Sequence, residues 1–217
     1  MKRRNVLTAV GTLALGVGTA LGTGAVDVVS SNSDGSFRVV SPGADIRIDP
    51  ADSVGADVLK NQTIDFGSLE PSDLPVATVS ENNGQMVTIQ VAVTAAEAHN
   101  FGDILKITNN NSDGIDYEVA FDYTGFGPKV DDGTIPQSDV IDTFEFTHGS
   151  TVVSSNSGDQ DNDPTNFVTV SPGSPETIGL YVNKMSSIEN AVTAGSFTGN
   201  SDSTVLIDEV TAIANQL

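Results

Sequence analysis

Short apolar runs with a period of two are the feature that most constrains the fold of this 217-residue chain. In Met86–Val93 every second residue is valine or isoleucine, and Ile115–Tyr123 shows a similar alternation of apolar with charged or small residues. Successive side chains of a β-strand point to opposite faces, so each run predicts a strand with one buried face. Glycine, asparagine, aspartate and proline separate the runs at intervals of about 8–12 residues, which is typical of an all-β sandwich.

These patterns predict strands along nearly the whole chain and little helix. The predicted strands are Ala25–Val29, Ser36–Val40, Ala44–Ile48, Thr63–Gly67, Gln85–Val93, Asp103–Thr108, Ile115–Tyr123, Val140–Phe146, Phe167–Ser171, Glu176–Val182 and Val205–Ile213. Two segments, Ala95–His99 and Ser186–Ala191, are helix-like over about one turn. The run Gly125–Pro128 predicts a turn with no helix after it, and Gly149–Asn166 predicts a long surface loop or hairpin tip.

The first 25 residues have the pattern of an export signal. A basic start is followed by a glycine-interrupted apolar run, and Thr23–Ala25 is a small-residue cleavage site. Arg3 and Arg4 precede a spacer and two apolar residues, which is typical of twin-arginine export. Cleavage after Gly22 and an uncleaved membrane anchor are the alternatives. After cleavage, we expect no membrane-embedded segment.

The net charge of the chain indicates the salt concentration of its surroundings. All 29 acidic residues lie at Asp27 or later, whereas Lys2, Arg3 and Arg4 lie in the leader, so the exported chain has six basic residues and a net charge of −23. Such self-repulsion is tolerable in concentrated salt, where the Debye length falls to about 3 Å at 1 M. The absence of cysteine excludes disulfides, thiol catalysis and thiolate metal sites. The sequence therefore predicts a protein exported into brine.

No set of residues in the sequence is typical of catalysis. His99, predicted to lie in a loop, and His148 are far apart in sequence, and there is no metalloprotease helix, nucleophile elbow or phosphate-binding glycine loop. A nucleic-acid partner is excluded because the chain would repel phosphate. We therefore predict that the protein is not an enzyme, and a secreted hydrolase is kept only as a third alternative.

The sequence contains one candidate ion site and two candidate modification sites. Asp159, Asp161 and Asp163 alternate as in the opening of a calcium-binding loop, although the glycine and glutamate expected later in that loop are missing. A solvated acidic loop tip is the alternative, and no other cofactor is expected. Asn61 and Asn110 each begin an N-glycosylation sequon, Asn61 at a predicted strand start and Asn110 in a predicted turn.

Several segments resemble a family of known proteins. They are Gln85–Val93, the run Phe101–Asn109 with its Lys-Ile-Thr-Asn end, Tyr117–Phe121, Pro175–Val182, Val205–Asp208 and the Gly22–Ala25 exit from the leader. On these residues the chain resembles a secreted haloarchaeal domain family of unknown function. That family is related to the TasA/camelysin biofilm-fibre group and to archaeal bundling pilins.

The resemblance implies a jelly-roll-like β-sandwich that polymerises by strand donation. The donor strand would be Val26-Asp27-Val28-Val29-Ser30, followed by a polar linker up to Gly35, and residues 36–217 would form one domain. The implied function is a structural subunit of an extracellular filament or biofilm matrix at the cell surface. Its partners would be further copies of itself or related surface proteins.

Two readings of the first strand remain open. Val26–Val29 either leaves its own subunit or pairs within its own domain as an ordinary edge strand. In the second case the protein would be a monomeric cell-surface binding module for a sugar or an envelope partner, with no polymerisation.

Overall fold

The computed structural model describes residues 36–40, 45–65, 71–82, 86–93, 97–159, 161–184 and 206–217. The twelve strands within these ranges are β1 (Ser36–Val40), β2 (Ile46–Pro50), β3 (Val58–Lys60), β4 (Val76–Asn82), β5 (Met86–Ala92), β6 (His99–Asn109), β7 (Tyr117–Phe126), β8 (Phe144–His148), β9 (Thr151–Val152), β10 (Val168–Val170), β11 (Glu176–Val182) and β12 (Ile207–Gln216). Two short helices, α1 (Pro128–Asp131) and α2 (Gln137–Ile141), and a 3₁₀ turn at Pro71–Asp73 complete the elements. No described helix approaches the length needed to span a bilayer.

The strands form two sheets. The seven-stranded sheet has the order β10-β7-β12-β1-β5-β4-β3, and the five-stranded sheet has the order β2-β6-β11-β8-β9. Neighbouring strands are antiparallel except for β1 with β12 and β3 with β4. The expectation of an all-β, mainly antiparallel sandwich is therefore confirmed.

One apolar core lies between the two sheets. The ring of Phe121 on β7 stacks on that of Phe146 on β8, with centroids 4.7 Å apart, so the two sheets touch directly. Val39, Ile104 and Leu180 are also completely buried in the core. Burying such side chains is the main stabilising contribution to a fold of this kind, at roughly 1.5–3 kcal/mol for each large one.

The outer face of β5 is covered in part by another segment of the chain. Val87, Ile89 and Val91 face the core as predicted, but Gln90 on the opposite face is also buried. Its side-chain oxygen accepts hydrogen bonds from the Ile64 backbone at 2.7 Å and from the hydroxyl of Thr78 at 3.1 Å. The segment at Ile64 therefore covers the outer face of the sheet there, and it is not the predicted strand Thr63–Gly67 over its described residues.

Several predicted strands are confirmed, with small differences at their ends. Glu176–Val182 matches β11 in full, and Ser36–Val40 matches β1. The predictions for β2, β5, β6, β7, β10 and β12 are correct to within about four residues. The strands β3, β4 and β9 were not predicted, because two are very short and Val76–Asn82 alternates weakly.

Three predictions about helices are wrong within the described residues. A helix does follow Gly125–Pro128, since Pro128 begins α1, where its fixed φ and missing N–H are tolerated. Val140 and Ile141 belong to α2 instead of the predicted strand Val140–Phe146, because one helical turn buries both side chains. His99 begins β6 instead of ending a helix or lying in a loop. The predictions at Ala25–Val29 and Ser186–Ala191 lie outside the described residues.

Candidate functional site

The first described strand lies in the middle of the larger sheet. β1 is antiparallel to β5, with Ser36 opposite Gln90, and parallel to β12, with Val40 opposite Thr211. The side chain of Val39 is fully buried. β1 therefore joins two strands that are distant from it and from each other in sequence.

The predicted donor strand, Val26–Ser30, lies outside the described residues. The first described residue, Ser36, starts β1 at the end of the sandwich where β5 finishes and β12 begins. We call this end, where Ser36 lies, the entry end.

The C-terminus lies at the opposite end of the sandwich. Gln216 pairs with Tyr117, the first residue of β7, and the backbone N–H of Leu217 donates to the carbonyl of Asp116 at 3.0 Å. We call this the exit end.

One edge of the smaller sheet, β2, is partly blocked by proline. Hydrogen bonds from Asn110 N to Asp45 O (2.7 Å) and from Ala51 N to Ile104 O (2.9 Å) show that the odd-numbered residues of this segment bond to β6. The backbone groups of Ile48 and Pro50 therefore face away from β6. Pro50 has no N–H to offer, so this edge is a poor template for another strand.

The side of the sandwich near β9 is closed by the chain itself. Val153 donates to Phe146 O of the smaller sheet at 2.8 Å and accepts from Phe121 N of the larger sheet at 2.9 Å. Tyr123 reinforces this closure, because its hydroxyl donates to the carbonyl of Phe144 and its N–H donates to Ser155 Oγ. Burial raises the pKa of Tyr123, an effect that the hydrogen bond with Ser154 opposes.

The exit end is organised by a polar network. Asp45 accepts a hydrogen bond from Tyr117 at 2.9 Å and one from Asn111 at 3.3 Å. The buried Asn109 side chain donates to the carbonyls of Ile115 and Val170 at 2.8 and 2.9 Å. The hydrogen bond to Asp45 raises the pKa of Tyr117. These bonds fix the loop between β6 and β7 to both sheets.

Both sequon asparagines lie on the surface. Asn110 is exposed between Asn109 and Asn111, whose side chains are used inside the network. Asn61 is also exposed, but it follows β3 in a turn with φ of 56° and is not at a strand start. Accessibility is necessary for glycosylation, and occupancy of the two sites stays a prediction.

The three candidate calcium ligands are in the loop between β9 and β10. Asp161 and Asp163 are exposed, and Asp159 Oδ1 accepts the N–H of Asp161 at 3.2 Å. Within the described ranges, no three Asp, Glu or His side chains are grouped as metal ligands. The calcium site stays a prediction that no ligand geometry supports.

His148 at the end of β8 makes a local side-chain contact. Its Nε2 lies 3.0 Å from Glu176 Oε2 at the start of β11, and both side chains are partly exposed. His99 lies at the other end of the sandwich, at the start of β6. The two histidines are therefore at opposite ends of the smaller sheet and do not form a common site.

A cluster of ion pairs around β2 was not predicted from the sequence. Arg47 contacts Asp49 at 2.7 Å and Glu81 at 3.2 Å, which raises the pKa of Arg47. Lys106 Nζ lies 2.8 and 2.9 Å from the two oxygens of Asp52, and this hydrogen bond lowers the pKa of that carboxyl.

A third basic residue completes this cluster. Lys60 Nζ donates to the carbonyl of Ala51 at 2.7 Å, and its charge further lowers the pKa of Asp52. Residues 47, 60 and 106 belong to different strands, and only the fold brings them together. The only available signal was the scarcity of basic residues in the exported chain.

Comparison with protein-family models finds no match for this chain, and a search of curated proteins finds no significant match.

Proposed function

We propose that the chain is a secreted structural subunit of an extracellular filament or biofilm matrix. Subunits join when Val26–Ser30 of one copy adds as a strand to its neighbour. The proposal includes removal of the twin-arginine leader 1–25, a location outside the cell or on its surface, and a jelly-roll-like fold related to the TasA/camelysin group. The observation that carries it is the position of β1, whose first residue, Ser36, lies at one end of the sandwich, whereas Leu217 lies at the other.

The best acceptor for the donated strand is β10. It is an edge strand of the larger sheet among the described strands, and it pairs with the first residues of β7 at the exit end. An added strand would pair with the outward backbone groups of β10, apart from the carbonyl of Val170, which already accepts from Asn109, as in β-augmentation. In this arrangement a donor from the entry end of one subunit meets the exit end of the next.

The composition of the donor suits this role. In an extended strand, Val26 and Val28 would lie on one face, and Asp27 and Val29 on the other. The two valines would fill apolar positions beside β10, and the carboxylate would remain in solvent. Because each subunit carries a charge of −23, assembly requires salt to screen the repulsion.

The decisive experiment is electron microscopy of the exported chain, residues 26–217, in molar NaCl. We expect fibres with a regular axial repeat, and we expect deletion of Val26–Ser30 to abolish them without lowering the thermal unfolding midpoint. The matched control is Ser30→Ala, which keeps every valine and should still form fibres.

Two results would oppose this proposal. A parent chain that remains a monodisperse monomer at every salt concentration would overturn it and favour the monomeric surface-binding module. A deletion variant that keeps its size but loses stability would show that Val26–Val29 pairs within its own domain.

A further inference from the structure

We propose that the surface around β2 is a docking face for a second copy of this chain. This surface, the β2 flank, consists of Arg47, Lys60 and Lys106 with their neighbouring carboxylates Asp49, Asp52 and Glu81. The inference deepens the proposed function by naming a contact between subunits that is separate from the donated strand.

The distribution of charge is the first reason. Three of the six basic residues of the exported chain lie on the β2 flank, beside three acidic ones. The rest of the exported chain holds three basic and 26 acidic residues. A second strongly acidic copy would be repelled by most of the surface, and the β2 flank is a locally neutral region where close approach costs the least.

The geometry of the basic residues is the second reason. Asp49 on β2 lies opposite Lys106 on β6, and Arg47 is two residues from Asp49, so Arg47 and Lys106 are on the same outer face of the smaller sheet. The side chain of Arg47 is 49% exposed, whereas that of Lys106 is 23% exposed and that of its partner Asp52 is 80% exposed. Arg47 can therefore take a carboxylate of another molecule directly, and Lys106 can take one when its exposed partner Asp52 moves away.

The complementary surface on the second copy is the outer face of β7. Glu118 and Asp122 lie on the same side of that strand, four residues and about 13 Å apart. Ala120 between them is small and fully buried, and Asp122 also accepts a hydrogen bond from the hydroxyl of Ser155 at 2.9 Å, so Glu118 is the less constrained of the two carboxylates. The contact would join the outer face of the smaller sheet of one copy to that of the larger sheet of the next, which is a heterologous interface.

Variants with reversed charges test this interface. Their self-association is measured by sedimentation velocity of the exported chain in about 1 M NaCl. We expect Lys106→Glu to weaken self-association by about tenfold or more, since like charges would then face each other. Lys184→Glu changes the net charge equally at an exposed position outside the β2 flank, and should have a much smaller effect. Circular dichroism confirms that each variant is folded.

The double variant Lys106→Glu with Glu118→Lys provides the stricter test. Both faces are present on every copy, so this variant again presents opposite charges across the interface and should recover most of the association. Equal losses for Lys106→Glu and Lys184→Glu, or no recovery in the double variant, would overturn the proposal.

The donor-strand deletion separates this inference from the proposed function. A chain without Val26–Ser30 should lose its fibres but keep the association that depends on Lys106. If fibres survive the deletion while the charge exchange behaves as expected, strand donation is wrong and the docking face stands.

Discussion

The hydroxyl of Tyr123 on β7 donates a hydrogen bond to the main-chain carbonyl of Phe144 on β8, and so links the two sheets through their shared core. Tyr123 is 5% exposed and its ring lies 6.4 Å from that of Phe146. The bond holds the start of β8 against β7 at the side where the segment after β9 crosses between the sheets.

Replacing Tyr123 by phenylalanine should remove this link while keeping the packing. The carbonyl of Phe144 would lose its partner in a buried place, so we expect the free energy of unfolding to fall by about 1–2 kcal/mol. Chemical denaturation measures the change. Tyr181→Phe, at a half-buried position, is the control and should stay within about 0.5 kcal/mol of the parent.

Replacing either of two neighbouring asparagines by alanine should change the stability of the protein by very different amounts. Asn109→Ala leaves the carbonyls of Ile115 and Val170 without their donor, and should cost about 1–3 kcal/mol. Asn110→Ala removes the sequon at an exposed position and should change stability by less than about 0.5 kcal/mol. Equal losses of stability for the two variants, measured by thermal denaturation, would contradict the polar network at the exit end.

Gly55 lies so close to β6 that no side chain fits there. A Cβ atom at this position would lie 1.9 Å from the carbonyl oxygen of Phe101, which belongs to the backbone and cannot rotate away. We expect Gly55→Ala to destabilise the protein by about 3 kcal/mol or more, at the upper end of overpacking effects. Gly114→Ala, which has open space but a φ of +76°, should cost only about 1–2 kcal/mol.

The carboxyl of Glu145 should make stability depend on pH. Burial raises its pKa, the hydrogen bond from Asn183 opposes this shift, and Asp142 adds to it. A raised folded-state pKa means that the stabilising contribution is fully present below the unfolded pKa and is lost as the pH rises through the folded value.

Glu145→Gln should therefore unfold at a higher temperature than the parent at neutral pH. The difference should shrink as the pH falls towards the ordinary pKa of glutamate. Thermal unfolding between these pH values measures it, and Asp161→Asn on the exposed loop controls for the loss of one negative charge. A difference that is independent of pH would argue against a role for burial of this carboxylate.

Salt should stabilise the exported chain. Raising NaCl from 0.1 M to 1 M shortens the Debye length from about 10 Å to about 3 Å, which screens the repulsion among 29 carboxylates. We expect the thermal unfolding midpoint to rise over this range, and Lys184→Glu to require more salt for the same midpoint. A midpoint that does not change with salt would contradict the predicted export into brine.

The candidate surfaces could be predicted only in part. The exposed position of Asn110 followed from its turn sequence, since loops between strands lie at the surface. The β2 flank could not be predicted, because Lys106 meets Asp52 across 54 positions of sequence and only strand pairing brings the two together. The helix that begins at Pro128 could not be predicted either, because proline is common both in turns and at the first position of a helix.

The sequence by itself determined most of the longer strands and the face that each turns to the core, as the match at Glu176–Val182 and the burial of Val87, Ile89 and Val91 show. The physical reason is local, because alternation along an extended chain sets the burial of each side chain. Only the tertiary structure decided that β1 lies between β5 and β12, and that Ser36 and Leu217 lie at opposite ends of the sandwich. Backbone hydrogen bonds are the same for every strand, so the choice of partner depends on how all the apolar faces pack into one core.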